Sequence, residues 1–299
     1  MKASYFLPKY WPTWLGLLLL RLISSLPWRV VAWVSDGIGF LIYHGYKSRR
    51  EIAEKNISTC FPEWTKEKVQ ITAKRSFQLA TQAMFFTGVA WWASEKRYKS
   101  LVEFDSKLLD EHTSSGKNVI VLTPHFVGLE AAGVFMSIDR PYMTMYQYAK
   151  NALVHHHVVT KRARFNGYLV ERKEPLRRML KLLKQKIPLY YLPDQDAGRK
   201  GLFVPFFGVQ ASSFDMLGKM AKLSKAIVIP CSVEIQQRGK GIKIRLYPPL
   251  KDFPTGDDMN DTLLQNQTVE NLIKEFPEQY LWAHKRFKTR PEGEAPFYK

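Results

Sequence analysis

The chain is poor in cysteine, in acidic residues and in long uninterrupted apolar runs. Only Cys60 and Cys231 occur among its 299 residues. Their spacing fits no metal or redox motif, which excludes a disulfide framework and points to a reducing compartment. Asp and Glu number 27 against 45 Lys and Arg, a formal net charge of +18. A deficit of acid on that scale calls for a polyanionic partner: nucleic acid, an anionic membrane surface or an acidic carrier. Hydrophobic residues make up 45% and charged ones 24%, excluding both a disordered tail and a polytopic membrane protein. Internal repeats, low-complexity tracts and long linkers are also missing, so residues 46–299 read as one domain.

The apolar residues that are present crowd the amino terminus. Residues 11–27 read WPTWLGLLLLRLISSLP, and residues 28–43 form a second apolar stretch broken by Arg29 and Asp36. Each run is shorter than the about 20 residues of a clean spanning helix. Tryptophans and prolines, and the lack of an A-x-A-like site, exclude an ordinary cleaved signal peptide. Trp11, Trp14, Trp28 and Trp33 have amphipathic rings of the kind that settle at headgroup level. Residues 1–45 are therefore expected to be a retained helical membrane anchor, spanning the bilayer or lying in one leaflet. Lys47, Arg49 and Arg50 follow as a cytoplasmic flank.

Beyond the anchor, 48–59 and 66–92 carry helical spacing. From Asn118 the rhythm changes. Runs at 118–122, 142–146, 189–192, 226–235 and 242–247 read as strands. Helical stretches near 127–138, 150–164, 174–186 and 213–224 separate them, and a last one lies at about 260–276. This alternation predicts an α/β fold, a mixed sheet flanked by helices.

The junction NVIVLTPHFVGLEAAG (118–133) holds the most chemistry. It places His125 just past the carboxyl end of a strand, where open α/β sheets put their sites. Glu130 follows five residues later, within reach of the ring if His125 sits in the turn before the helix. A carboxylate on one ring nitrogen makes the other a better base. KRARFNG (161–167) supplies Lys161, Arg162 and Arg164 before a turn signal at Asn166-Gly167. LPDQDAGRKGLFVPFFG (192–208) places Asp194 and Asp196 after a strand, then Phe203, Phe206 and Phe207. WAHKRFKTRP (282–291) adds Arg286 and Lys288. The chain thus offers a base, cations suited to phosphates and a phenylalanine wall suited to an alkyl chain. His155, His156 and His157 do not make a metal site, because consecutive helical side chains diverge by about 100°. The basic residues are scattered and match no nucleic-acid fold signature, so no nucleic-acid partner is expected.

HFVGLE, RARFN, PDQDAG with FVPFFG, EKNI (54–57), WPTWLGL and the HKRFKTRPEG ending together resemble the late acyltransferases of lipid A biosynthesis. These bacterial membrane enzymes add a secondary acyl chain to a Kdo-bearing lipid A precursor. The wider glycerolipid acyltransferase group usually has Asp five residues after the His, whereas Glu130 stands here, as is common among the lipid A enzymes. The resemblance implies a glycerolipid acyltransferase-like fold, with His125 as general base and Glu130 as its orienting partner. It implies that a hydroxyl on a 3-hydroxyacyl chain attacks a thioester carried by acyl carrier protein. No cofactor, metal or acyl-enzyme is implied. Arg164 and Asn166 match an R-x-N element that binds phosphate, stabilises the oxyanion or braces the site. Asp194, Asp196, Phe203, Phe207, Arg286 and Lys288 are the further expected substrate contacts. The implied location is the bacterial inner membrane, with the active domain on its cytoplasmic side. A lysophosphatidate-type acyltransferase and a non-catalytic basic membrane-tethered binder are the alternatives.

Overall fold

NVIVL (118–122) is buried at all five positions, as expected of a central strand covered on both faces. The computed structural model, which describes residues 2–298, builds its sheet around it. In chain order the strands are β1 (Val102–Phe104), β2 (Asn118–Leu122), β3 (Tyr142–Tyr146), β4 (Gly167–Glu171) and β5 (Leu189–Tyr191). They continue with β6 (Leu202–Phe206), β7 (Val209–Ser213), β8 (Ala226–Gln236) and β9 (Gly241–Leu246). Seven form one sheet in the order β1-β9-β8-β2-β5-β3-β4, parallel except at β8–β9, while β6 and β7 pair as a separate antiparallel hairpin. The α/β expectation holds. The sequence reading missed β1, β4 and the β6–β7 hairpin, which are short or carry proline and polar residues.

The helices are α1 (Trp11–Ser25), α2 (Trp28–Gly45), α3 (Lys47–Cys60), α4 (Lys66–Trp92), α5 (Glu95–Lys99) and α6 (Lys107–Ser114). The remainder are α7 (Leu129–Met136), α8 (Ala152–Arg162), α9 (Leu176–Lys184), α10 (Met216–Ser224) and α11 (Asp258–Glu275). After β2 the chain crosses by α7 to β3 on one side, and after β5 it leaves for β8 on the other side of β2. The strand order therefore reverses at β2 and β5, and the crevice at their carboxyl ends is where such sheets bind ligands.

The amino-terminal helices rest on α4. Gly39 of α2 lies so close to α4 that an added Cβ would overlap Gln78 backbone, and Gly88 of α4 meets α1 at the Leu20 carbonyl in the same way. α2 buries Trp28, Val31, Ala32, Ser35, Gly39 and Tyr43 at helical spacing. The opposite faces stay apolar and uncovered: Trp11 is 63% exposed, Leu18 53%, Trp33 78% and Leu41 69%. No helix among the described residues is long and apolar enough to cross a membrane. The 15 residues of α1 span only about 22 Å at ~1.5 Å each, short of a hydrocarbon core of about 30 Å. The spanning form of the expected anchor is thus unsupported.

Gly39→Ala should lower stability by about 1–3 kcal/mol, since the overlap is with backbone that cannot yield easily. Gly37→Ala, where an added Cβ meets nothing within 4 Å, should leave stability unchanged or raise it by up to about 1 kcal/mol. Thermal unfolding of both variants checks the close α2–α4 approach.

Candidate active site

Two neighbouring strand ends make the centre of the crevice. His125 follows β2 and Asp194 follows β5, and the parallel β2–β5 pairing brings them together across 69 residues of chain. Asp194 Oδ1 lies 2.7 Å from His125 Nδ1, and its Oδ2 accepts the His125 backbone N–H at 2.9 Å. One carboxylate thus clamps both the main chain and the ring of a single residue. Nδ1–H donates to Asp194, which leaves Nε2 with the lone pair for chemistry. Burial drives the Asp194 carboxyl up, but the adjoining His125 imidazole, its hydrogen bonds and the Tyr280 side chain outweigh this and hold it below the usual range.

The carboxyl-terminal segment closes over this turn. Leu281 N–H donates to the His125 carbonyl, Val127 N–H donates to the Gln279 carbonyl, and Phe126 bridges to Tyr280. His284 packs alongside. Burial, with the neighbouring His125, lowers its pKa, and its Nε2 accepts the Asp196 backbone N–H at 3.4 Å.

A cavity of about 210 Å³ opens from His125 and runs under α7 along the face of β3 and β5. Leu129, Val134, Met145 and Leu192 supply apolar walls, and Glu130 and Arg162 supply charge. Glu130 stands in the first turn of α7. Its Oε2 accepts from Arg162 Nε at 2.8 Å and also from Nη2, while Oε1 accepts from Trp91 Nε1 at 3.2 Å. Arg162 ends α8, and Gly167 is what lets the chain pass there: an added Cβ would collide with the Arg162 carbonyl.

The expected hydrogen bond from the His125 ring to Glu130 is replaced by one to Asp194. Glu130 lines the same cavity but faces Arg162, because α7 begins at Leu129 and turns its first residues toward α8 and α4. Arg164 and Asn166 lie outside the cavity lining. Arg164 donates to the Ala90 and Ala93 carbonyls at 2.7 Å each, capping α4, and Asn166 Nδ2 donates to the Ile138 carbonyl. Of the three uses left open for that element, these contacts are those of a brace. Asp196 holds Thr289 through its N–H and hydroxyl. Arg286 is buried, donates to Ser212 O and Ser213 Oγ and lies over the Phe206 ring. Lys288 is exposed on the same segment. Phe203 and Phe207 belong to the β6–β7 hairpin, and Phe207 packs on Phe61. None of these seven residues lines the cavity. The sequence reading missed Asp194 as the imidazole's partner. Its one available signal was an acid directly after a strand, but only strand order identifies which base it meets.

The Asp194 pairing carries a pH signature. A carboxyl held below its unfolded value of about 3.9 adds stability above that pH and loses it as pH falls through the native value. Asp194→Asn should therefore be less stable than wild type at pH 6 and should flatten the loss below about pH 4. Denaturant midpoints between pH 3 and 7 test this.

Residues 1–289 match the family model described as bacterial lipid A biosynthesis acyltransferase. A lipid A biosynthesis lauroyltransferase of Escherichia coli is 31% identical, covering 96% of this chain and 94% of its own. A palmitoleoyltransferase of lipid A biosynthesis from the same organism is 32% identical over 97% and 95%. A lipid A biosynthesis acyltransferase of Haemophilus influenzae is 31% identical over 97% and 92%. With a His–Asp pair at the carboxyl edge of a parallel sheet and a match spanning nearly its whole length, this chain belongs to the bacterial lipid A biosynthesis acyltransferase family and is an O-acyltransferase.

Proposed function

We propose that the protein transfers a fatty acyl chain from acyl carrier protein to a hydroxyl of a 3-hydroxyacyl chain on a Kdo-bearing lipid A precursor. The family implies an acceptor among lipid A precursors. The observation that carries the mechanism is the doubly held His125, with Nε2 left free beside an amphipathic cavity. In this reading Nε2 takes the proton of the acceptor hydroxyl as its oxygen bonds to the thioester carbonyl carbon. The C–S bond then breaks, and the departing thiolate takes the same proton back from the imidazolium. General-base help of this kind is typically worth 10²–10⁴-fold. Asp194 keeps the tautomer and stabilises the charged ring. Arg162, held by Glu130 on the cavity wall, is the donor suited to the oxyanion.

The two partners are supported by two different surfaces. Lys150, Arg172, Lys173, Arg177, Arg199 and Lys200 are exposed on the segments that follow β3, β4 and β5. Arg172 donates to Gln147, which itself lines the cavity. That basic rim suits an acidic carrier delivering the donor. The uncovered apolar faces of α1 and α2 suit insertion of residues 1–45 into one leaflet of the inner membrane, beside the 46–299 catalytic domain. Anionic headgroups and acceptor phosphates would engage further basic residues.

The deciding experiment is mass spectrometry of the product formed by purified protein from mixed acyl carriers and a tetra-acylated, Kdo-bearing precursor. One added acyl ester on the precursor is expected; transfer to lysophosphatidate instead, or no transfer, rejects the reading. His125→Ala should abolish turnover while the fold persists. Asp194→Asn should cut kcat by about 10²–10⁴-fold with acceptor KM nearly unchanged, since it removes orientation rather than binding. Replacing Trp11, Leu18 and Trp33 together by Ser should release the protein from anionic vesicles in flotation; undiminished flotation would count against the in-plane anchor.

A further inference from the structure

Tyr142, Thr144 and Tyr190 share one face of the sheet: Thr144 is paired beside Tyr190, and Tyr142 precedes Thr144 by two residues. All three line the cavity under α7. Tyr142 is 0% and Tyr190 2% exposed, and the hydroxyls of all three are buried without a hydrogen-bond partner among the described residues. Tyr190 Oη feels the Thr123 hydroxyl nearby but makes no bond of ordinary geometry to it. Phe and Val would fill the same space without leaving polar atoms unmatched. Three such groups on one wall mark a place where a ligand supplies the partners.

Gly133 points the same way. It sits in α7 over this wall, and an added Cβ would lie 3.4 Å from Tyr190 and 3.7 Å from Thr144, ordinary contact distances. Packing alone accepts alanine there, and a mid-helix glycine is less favourable than alanine. Its effect is to keep the slot one methyl group wider. A saturated chain alone would leave the three hydroxyls unpaired, and water alone would have no use for the apolar walls opposite.

We propose that Tyr142, Thr144 and Tyr190 form a binding site for the oxygen-bearing 3-hydroxyacyl arm of the acceptor, so that this cavity takes the acceptor and not the donor's saturated chain. The assignment rests on the acyl-transfer reading above for the identity of the arm. It gives the three hydroxyls a positioning role, delivering the nucleophile to His125.

The test titrates detergent-solubilised full-length protein with N-(3-hydroxytetradecanoyl)glucosamine 1-phosphate and with its tetradecanoyl analogue. Wild type should bind the hydroxylated probe roughly tenfold more tightly, the scale of a buried hydrogen-bonded hydroxyl. Tyr142→Phe, Thr144→Val and Tyr190→Phe combined should erase that preference with His125 intact and thermal stability undiminished. Gly133→Leu, which fills the slot, should weaken both probes. Equal binding by wild type, or a preference that survives the triple substitution, overturns the site. In steady-state assays the triple variant should raise KM for the acceptor alone, and a rise confined to the acyl donor overturns it too. Failure of the site is separable from failure of the acyl-transfer reading. Acyl transfer without discrimination between probes rejects only the site, and discrimination without acyl transfer upholds the site while rejecting the reaction.

Discussion

A single buried carboxylate holds the site in register. Asp194 is 1% exposed, and burying a charge is tolerable only when it is paired and hydrogen-bonded. Both of its oxygens go to His125, one to the ring and one to the main chain. The arrangement works because β2 and β5 are adjacent and parallel, so their carboxyl ends emerge side by side. Take away that adjacency and the imidazole loses its tautomer, the turn after β2 loses an anchor, and Asp194 becomes an unpaired buried charge. The carboxyl-terminal segment adds a second tie by bonding the His125 carbonyl from the other side. The geometry of the His125–Asp194 pair is thereby fixed by backbone as much as by side chains, the preorganisation that the proposed base requires.

What could be read in advance follows from range. Local signals were legible: the continuous apolar run of β2, the alternation of strands and helices, and an imidazole at a strand's carboxyl end. Glu130 shows where local reading fails. Five residues separate it from His125, but α7 begins at Leu129, so its side chain leaves along the helix toward Arg162 and Trp91. The partner that does meet the ring lies 69 residues away. Only sheet order brings Asp194 there, and strand order has no signature within a short window. Arg164 and Arg286 had the right chemistry for phosphates and Asp196 followed a strand end, yet each guanidinium or carboxylate is engaged by the protein itself, capping α4, propping the β6–β7 hairpin or holding Thr289. Charge type alone does not distinguish a ligand contact from a brace.

The two carboxylates at the cavity illustrate a division of labour. Asp194 is withdrawn from the cavity and meets it only by way of the imidazole it bonds. Glu130 is at the cavity wall, and there its carboxylate holds a guanidinium through both Nε and Nη2. An arginine so held presents its remaining N–H at a set direction instead of sampling rotamers, and the Trp91 indole holds Glu130 in turn. Gly167 completes the chain of causes, since only a residue without Cβ lets the end of α8 come close enough to offer Arg162.

The amino-terminal helices pose the inverse problem, a polar residue within an apolar run. Asp36 breaks the second run in the sequence, and in a spanning helix it would be a costly defect. In the folded protein its Oδ1 accepts from Arg75 Nη1 at 2.8 Å and from Gln82 Nε2 at 2.7 Å, both on α4. The charge is therefore matched on the inner side of α2, while Trp33, Val34 and Leu41 make up the outer side. A helix with one face fixed to a protein and the other largely apolar gains nothing by standing upright in a bilayer, because its inner face would have to leave α4. In the in-plane anchoring proposed above, both faces stay satisfied.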